Sequence, residues 1–355
     1  MPLTIPVVWS DSCLLHEPRA EVWIGKPSPA DEPPARATLI RDTLVAAGAP
    51  LVQAEEHDDD PILAVHDRGL VEFLRSAWGD WQSAGFPADS GQDEVVAYIF
   101  RHQGLVDRVE AKVPASTAAR TGFYSFDTMT PIGAGTWPSV RAAVDVALTA
   151  ADLVVGGRSV AYACTRPPGH HVTSSAYGGS CYLNTAAITA QYLRHRGFAS
   201  VALVDLDAHH GNGAQSIFWE RDDVFTGSVH ADPAAGWFPH FFGLADETGA
   251  GAGSGANLNL PLAPGAGDEE WVAAVEELVR GHVRADALVV ALGVDAGESD
   301  RYAPLCVTAD GFRAGGELLA SLDLPTVVVQ EGGYDLATIG QLVLAVLEGM
   351  DASRT

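Results

Sequence analysis

Five apolar runs of strand length, each ended by polar residues, constrain this chain more than any other feature. They are SVAYAC at 159–164, VALVDLD at 201–207, DVFTGSVH at 223–230, ALVVALGVD at 287–295 and TVVVQEGGY at 326–334. A strand with one wet face alternates apolar and polar residues, whereas a strand buried on both faces reads as a continuous apolar run. Helical stretches lie between them. PSVRAAVDVALTAADLV carries Pro138 in its first turn and is stopped by Gly156 and Gly157; NTAAITAQYLRHR ends at Gly197; DEEWVAAVEELVRGH places its acids at the N-terminal end, where the helix dipole favours them. From about residue 138 this alternation predicts βαβ units around a parallel sheet. Ligands of open α/β sheets bind beyond the carboxyl ends of the strands, so five segments are expected to deliver their last residues to one crevice. No linker divides the chain after residue 138, and although length alone suggests two domains as a soft prior, one large α/β domain stays open. The first half is less regular, and the polar, Gly- and Pro-containing segments at about 16–35, 79–94 and 112–137 read as long loops.

Charge and cysteine usage narrow the function classes. Acidic residues number 46 against 21 basic ones, a net charge of -25. Such a surface repels phosphate backbones, which argues against nucleic acid as a partner, and it attracts cationic ligands. Cys13, Cys164, Cys181 and Cys306 are widely spaced with no CxxC pair, and are expected to be reduced, buried thiols. The N-terminus has no basic segment followed by a long apolar stretch, and no run approaches the ~18 apolar residues of a membrane span. A cytoplasmic location without membrane contact is the expectation.

Asp205-Leu-Asp207-Ala-His209-His210 is the strongest single constellation. Continued as a strand, it puts Asp205, Asp207 and His209 on one face, because side chains alternate with period two. One such residue alone reads as a turn cap or a packed histidine. Three together read as a metal site, because clustered buried carboxylates are costly without a cation. Oxygen and imidazole donors suit zinc, iron(II), manganese or cobalt, and Asp295 at the end of another apolar run is the natural further ligand, leaving a position for water. Arg166-Pro167-Pro168-Gly169 is a stiff turn that presents His170 and His171, and Gln330-Glu331-Gly332-Gly333 leads to Tyr334, a hydrogen-bond donor.

RPPGHH, DLDAHHGNG, the strand-end GVD and QEGGY, in this order, resemble the arginase/deacetylase-fold zinc deacylases, which include histone deacetylases and bacterial acetylpolyamine amidohydrolases. The stretch from His230 to Gly253 is more similar to the acetylpolyamine branch. The resemblance implies a single α/β domain over residues 1–355 with a central eight-stranded parallel sheet flanked by helices, and one Zn2+ on Asp207, His209 and Asp295, where the donor types also suit Fe2+ or Co2+. It also implies a structural K+ held by Asp205, Asp207 and the backbone around His209, Ser228 and Val229, and a homodimer with a long N-terminal loop narrowing the mouth. Asp205 is expected behind His170 and Asn212 behind His171. A carboxylate stabilises imidazolium and an amide does not, so His170 tends to charged and His171 to neutral, making His171 the general base and His170 its electrostatic partner or the acid. Such a base is needed, because zinc neutralised by two carboxylates acidifies water less than the three-histidine site that lowers its pKa to ~7. Tyr334 is the expected oxyanion donor.

Gly179, Ser180, Phe238 and Tyr302 are the expected substrate-lining residues. The family usually places an aromatic where Ser180 stands opposite Phe238, so one tunnel wall is missing here. Asp300-Arg301-Tyr302 replaces the family's Asp-Pro-aliphatic sequence, and Arg301 or Tyr302 is expected to meet the substrate. The reading is a metal-dependent amidohydrolase that removes the acyl group from a small cationic N-acylated amine. Its nearest rival is a protein acyl-lysine deacylase of the histone type, followed by an inactive acyl-amine binding protein. An arginase-like ureohydrolase would need a second set of acids, which Asp295-Ala-Gly-Glu-Ser-Asp300 does not supply.

Overall fold

The computed structural model describes residues 2–302 and 304–352. Its strands are β1 (Val7–Trp9), β2 (Ala20–Trp23), β3 (Lys26–Pro29), β4 (Leu51–Gln53), β5 (Val160–Ala163), β6 (Val201–Asp205), β7 (Val224–Ala231), β8 (Asn257–Leu262), β9 (Ala287–Leu292) and β10 (Thr326–Gln330). Eight of them form one sheet in the order β4-β1-β5-β10-β9-β6-β7-β8, and every pairing in it is parallel. The five apolar runs are its five adjacent central strands. Their residues divide between two cores with period two: Val201, Leu203, Val289 and Val329 join one cluster, while Ala202, Val204, Val290 and Val328 join the other. Helices Thr136–Val155 and Thr185–His195 cover the first face, and helices Ala35–Ala46, Asp268–Glu276, Ala309–Ala320 and Ile339–Ala352 the second.

Several local expectations are corrected. β6 stops at Asp205, so Asp207 and His209 do not share a strand face with it. They lie in a turn pinned by side chains: Asp205 Oδ1 accepts from the Asp207 N–H (3.0 Å), and Asp207 Oδ1 from the His209 N–H (2.9 Å). The segments read as loops carry structure. Residues 16–35 contain the β2–β3 hairpin, 79–94 the end of helix Arg68–Ser83 and the short helix Phe86–Ser90, and 112–137 the helix Thr117–Tyr124 and the start of Thr136–Val155. Among the cysteines, Cys13, Cys164 and Cys181 are buried but Cys306 is exposed. It forms an isolated bridge with Gly267 outside the sheet, where no core covers its side chain.

Candidate active site

The carboxyl ends of β5, β10, β9 and β6 lie side by side, and the residues that follow them meet there. Asp207, His209 and Asp295 bring donor atoms within 4.8 Å of one another. His209 Nδ1 is 2.9 Å from Asp295 Oδ2 and 3.1 Å from Asp207 Oδ1, while its Nε2 lies 3.1 Å from the Tyr302 carbonyl. That carbonyl only accepts, so Nε2 carries a hydrogen, and Nδ1 is the nitrogen turned toward the two carboxylates, where a metal would displace its proton. The remaining oxygens are held by backbone: Asp295 Oδ1 accepts from the Ala208 N–H (2.8 Å) and Asp207 Oδ2 from the Gly332 N–H (2.8 Å). Glycine is required at 332, because a Cβ there would overlap Asp207 Oδ2 and lie 2.8 Å from Asp295 Oδ2.

Two fully buried carboxylates converging on one imidazole leave uncompensated negative charge. Burial and the charge of Asp207 push Asp295 up to about 7. His209 is lifted to about 10, since its bonds to Asp207 and Asp295 outweigh the burial that lowers it. The donors, charge and glycine cradle all fit a divalent cation of the zinc, iron(II) or cobalt type.

The histidine pair differs in its partners. His170 Nδ1 meets Asp205 Oδ2 at 2.8 Å, and His171 Nδ1 meets Asn212 Oδ1 at 2.7 Å, with the rings 4.0 Å apart. Asn212 spends its amide nitrogen on the His171 carbonyl (3.2 Å), which fixes Oδ1 toward the ring. An oxygen there accepts, so His171 Nδ1 carries the hydrogen and Nε2 is the free base. Burial lowers both histidines. For His170, Asp205 and Asp207 overcome it and lift the ring to about 10. For His171, the positive neighbour adds to burial and holds it well below the ordinary range.

Tyr334 is gripped on two sides. The Arg36 guanidinium lies over its ring at 4.8 Å, and Tyr302 meets it edge-on at 5.0 Å. Asp300 Oδ2 accepts from the Tyr334 N–H, and Arg36 donates to the carbonyls of Gly333 and Glu331. Arg36 is in turn paired with Glu32, which also takes Arg166 at 2.9 Å. Sequence reasoning missed Glu32, Arg36 and the place of Glu331, whose Oε2 accepts from the N–H groups of Gly169 (2.6 Å) and His170 (3.2 Å). Only the i, i+4 spacing of Glu32 and Arg36 hinted at a pair.

At the rim, Phe238 stands 4.8 Å from the His171 ring, and a Cβ on Gly179 would overlap that ring. Ser180 adopts a left-handed backbone (φ 60°) next to it, with its N–H held by Thr130 Oγ1 at 2.9 Å. Tyr302 reaches the site through its ring and carbonyl. Arg301 turns outward, paired with Asp31 and lying over Tyr302. Of the residues expected around potassium, Ser228 pairs in register with Asp205 across β6 and β7, Val229 is fully buried, and Ser228 Oγ contacts His230 Nδ1 at 2.8 Å.

Fold and site together define an α/β protein with a candidate mononuclear metal centre at the carboxyl edge of its sheet. The chain belongs to the histone deacetylase domain family, whose profile matches residues 30–350. Acetylpolyamine amidohydrolase 1 of Pseudomonas aeruginosa is 38% identical over 350 residues, covering 98% of this chain and 99% of that protein. The acetylpolyamine amidohydrolase of Mycoplana ramosa is 37% identical over 97% of this chain and 99% of its own length. A crystal structure of an acetylpolyamine aminohydrolase from Burkholderia pseudomallei superposes with a TM-score of 0.92 at 36% identity, covering 99% of both chains.

Proposed function

We propose that the protein hydrolyses the amide bond of a small, cationic N-acylated amine of the acetylpolyamine kind, using one divalent metal, zinc with iron(II) or cobalt as substitutes, on Asp207, His209 and Asp295. The observation that carries this reading is the pairing of that donor triad with a neutral, Asn212-oriented His171 and a charged, Asp205-backed His170. Full-length similarity to acetylpolyamine amidohydrolases and the net charge of -25 support the substrate class.

A divalent ion bound there polarises the substrate carbonyl and acidifies the attacking water. His171 Nε2 takes the proton of that water as its oxygen bonds to the acyl carbon. Tyr334 donates its hydroxyl hydrogen to the developing oxyanion. His170 stays positively charged beside the reacting centre, and the proton taken up by His171 Nε2 passes to the amine nitrogen as the C–N bond breaks, leaving a free amine and a carboxylic acid that ionises in water. Phe238, Gly179, Ser180 and Tyr302 line the approach. The reading extends to a structural potassium at Asp205, Asp207 and the backbone of His209, Ser228 and Val229, to a cytoplasmic location, and to a homodimer. Exposed Tyr98, Leu105 and Val109 on one segment support self-association.

Competition between N-acetylated diamines and acetyl-lysine peptides tests the substrate class. The small amide is expected to show the higher kcat/KM and to lose that advantage as salt screens the acidic mouth. A peptide that outpaces every small amide would make the protein an acyl-lysine deacylase instead. Two further outcomes follow from the geometry. Gly332→Ala is expected to bring bound metal well below one per chain with an unchanged circular dichroism spectrum; full occupancy would remove the triad from metal binding.

The second outcome is a pH shift. His171 acts only when neutral, and its lowered pKa keeps it neutral until the pH falls below the ordinary histidine value of about 6.5. Asn212→Asp puts a carboxylate on Nδ1 and stabilises the imidazolium, so the acid limb of kcat/KM should move up by about 1 pH unit or more. An unmoved limb would show that His171 is not the base.

A further inference from the structure

A second cluster of donors lies beside the first, and two of its three members, Cys181 and Glu331, have no part in the reaction drawn above. His170, Cys181 and Glu331 are all buried, and each brings a donor atom within 4.8 Å of the other two. Asp205 occupies His170 Nδ1, which leaves Nε2 as the nitrogen open to a ligand. Two donors are fixed by the turn that carries the histidine pair: Glu331 Oε2 accepts from Gly169 and His170, and Cys181 Sγ from the His171 N–H. Glu331 Oε1, fully buried, has no hydrogen-bond partner. Buried carboxylate oxygens are ordinarily satisfied, so an orphan oxygen on a member of this cluster calls for a ligand.

We infer that His170, Cys181 and Glu331 form a second, inhibitory site for a soft divalent cation such as zinc or cobalt. The inference rests on the proposed function in one respect, that His170 serves the reaction. On binding, the thiol and the imidazolium each release a proton to solvent, and the thiolate and Glu331 neutralise the ion. Thiolate, imidazole and carboxylate together are a donor set that selects zinc-like ions over magnesium or calcium. Binding occupies His170 Nε2 and puts a cation close to Asp207 Oδ1, which lies 3.8 Å from that nitrogen.

Cobalt titration of the protein separates the two sites. The first equivalent is expected to switch on hydrolysis without a thiolate-to-cobalt charge-transfer band, because the triad contains no sulfur. The second is expected to bring in that band and to lower the rate about 100-fold or more, the usual scale of a lost electrostatic stabiliser in an active site. In Cys181→Ser the band should vanish. The cobalt or zinc concentration that halves the rate, taken relative to that variant's own one-equivalent rate, should rise at least about tenfold, since metal sites lose that much even when an outer partner is removed. Cys181→Ala repeats the test without the oxygen. A band that persists in both variants, or a wild type whose rate and spectrum ignore the second equivalent, overturns the inference. An enzyme silent after the first equivalent contradicts the proposed function instead, while the sulfur band still reports on this site.

Discussion

Tyr334→Phe is expected to lower turnover about 100- to 1,000-fold, or about 2.7–4 kcal/mol, while bound metal and fold stay at wild-type levels. The loss is confined to one hydroxyl. A phenylalanine ring keeps the Arg36 guanidinium on its face and Tyr302 at its edge, and the N–H of residue 334 keeps Asp300. Burial pushes the Tyr334 hydroxyl well above its usual pKa, so it remains a donor throughout the working range of pH. An oxyanion donor acts in the transition state and little in the ground state, so kcat should fall with KM nearly unchanged. A variant that keeps more than about a third of the wild-type rate would remove Tyr334 from the reaction.

Asp295→Ala and His171→Ala are expected to fail for different reasons, and elemental analysis separates them. Asp295 faces His209 Nδ1 with one oxygen and holds the Ala208 N–H with the other, so its loss removes a donor and loosens the turn that carries His209. Bound metal should fall well below one per chain, taking activity with it. His171 touches no triad oxygen through its Nδ1, which Asn212 occupies. Its alanine variant should therefore stay near one metal per chain and still lose about 100- to 10,000-fold in rate. A metal-free His171→Ala protein would make that histidine a ligand and send the search for the base elsewhere.

The sequence disclosed the middle of the fold and concealed its edges. β5, β6, β7, β9 and β10 were legible because burial on both faces makes a strand continuously apolar. β1 and β4 are three residues each, and β8 reads NLNLPL, with two asparagines and a proline on an edge strand. Such short or polar runs fall below any periodicity signal. The β2–β3 hairpin hid for a related reason. Its turn uses Ile24 and Gly25 at positive φ, where the usual signal is Asn-Gly.

The site shows the same division. Asp207, His209 and Asp295 were named from residue type and strand ends, yet the strand-face argument for the first two was wrong, because a side-chain-pinned turn makes the convergence. Glu32 and Arg36 could not be placed from sequence, since Arg36 acts on Gly333 and Glu331 from about 300 positions away, a proximity that only the β1–β5–β10 order creates. Glu331 sat inside a recognised motif, but its grip on the His170 turn is a tertiary contact with no local signature.

Titration of the metal-free protein with zinc, followed by release of free amine from an N-acetylated diamine, tests the central claim most directly. The protein should be inactive without metal, and its rate should rise linearly to a sharp break at one equivalent per chain, with the same titration of Asp295→Ala showing no such break. Amide hydrolysis that is indifferent to metal, or an Asp295→Ala protein that reaches the wild-type rate at the same equivalence point, would contradict it.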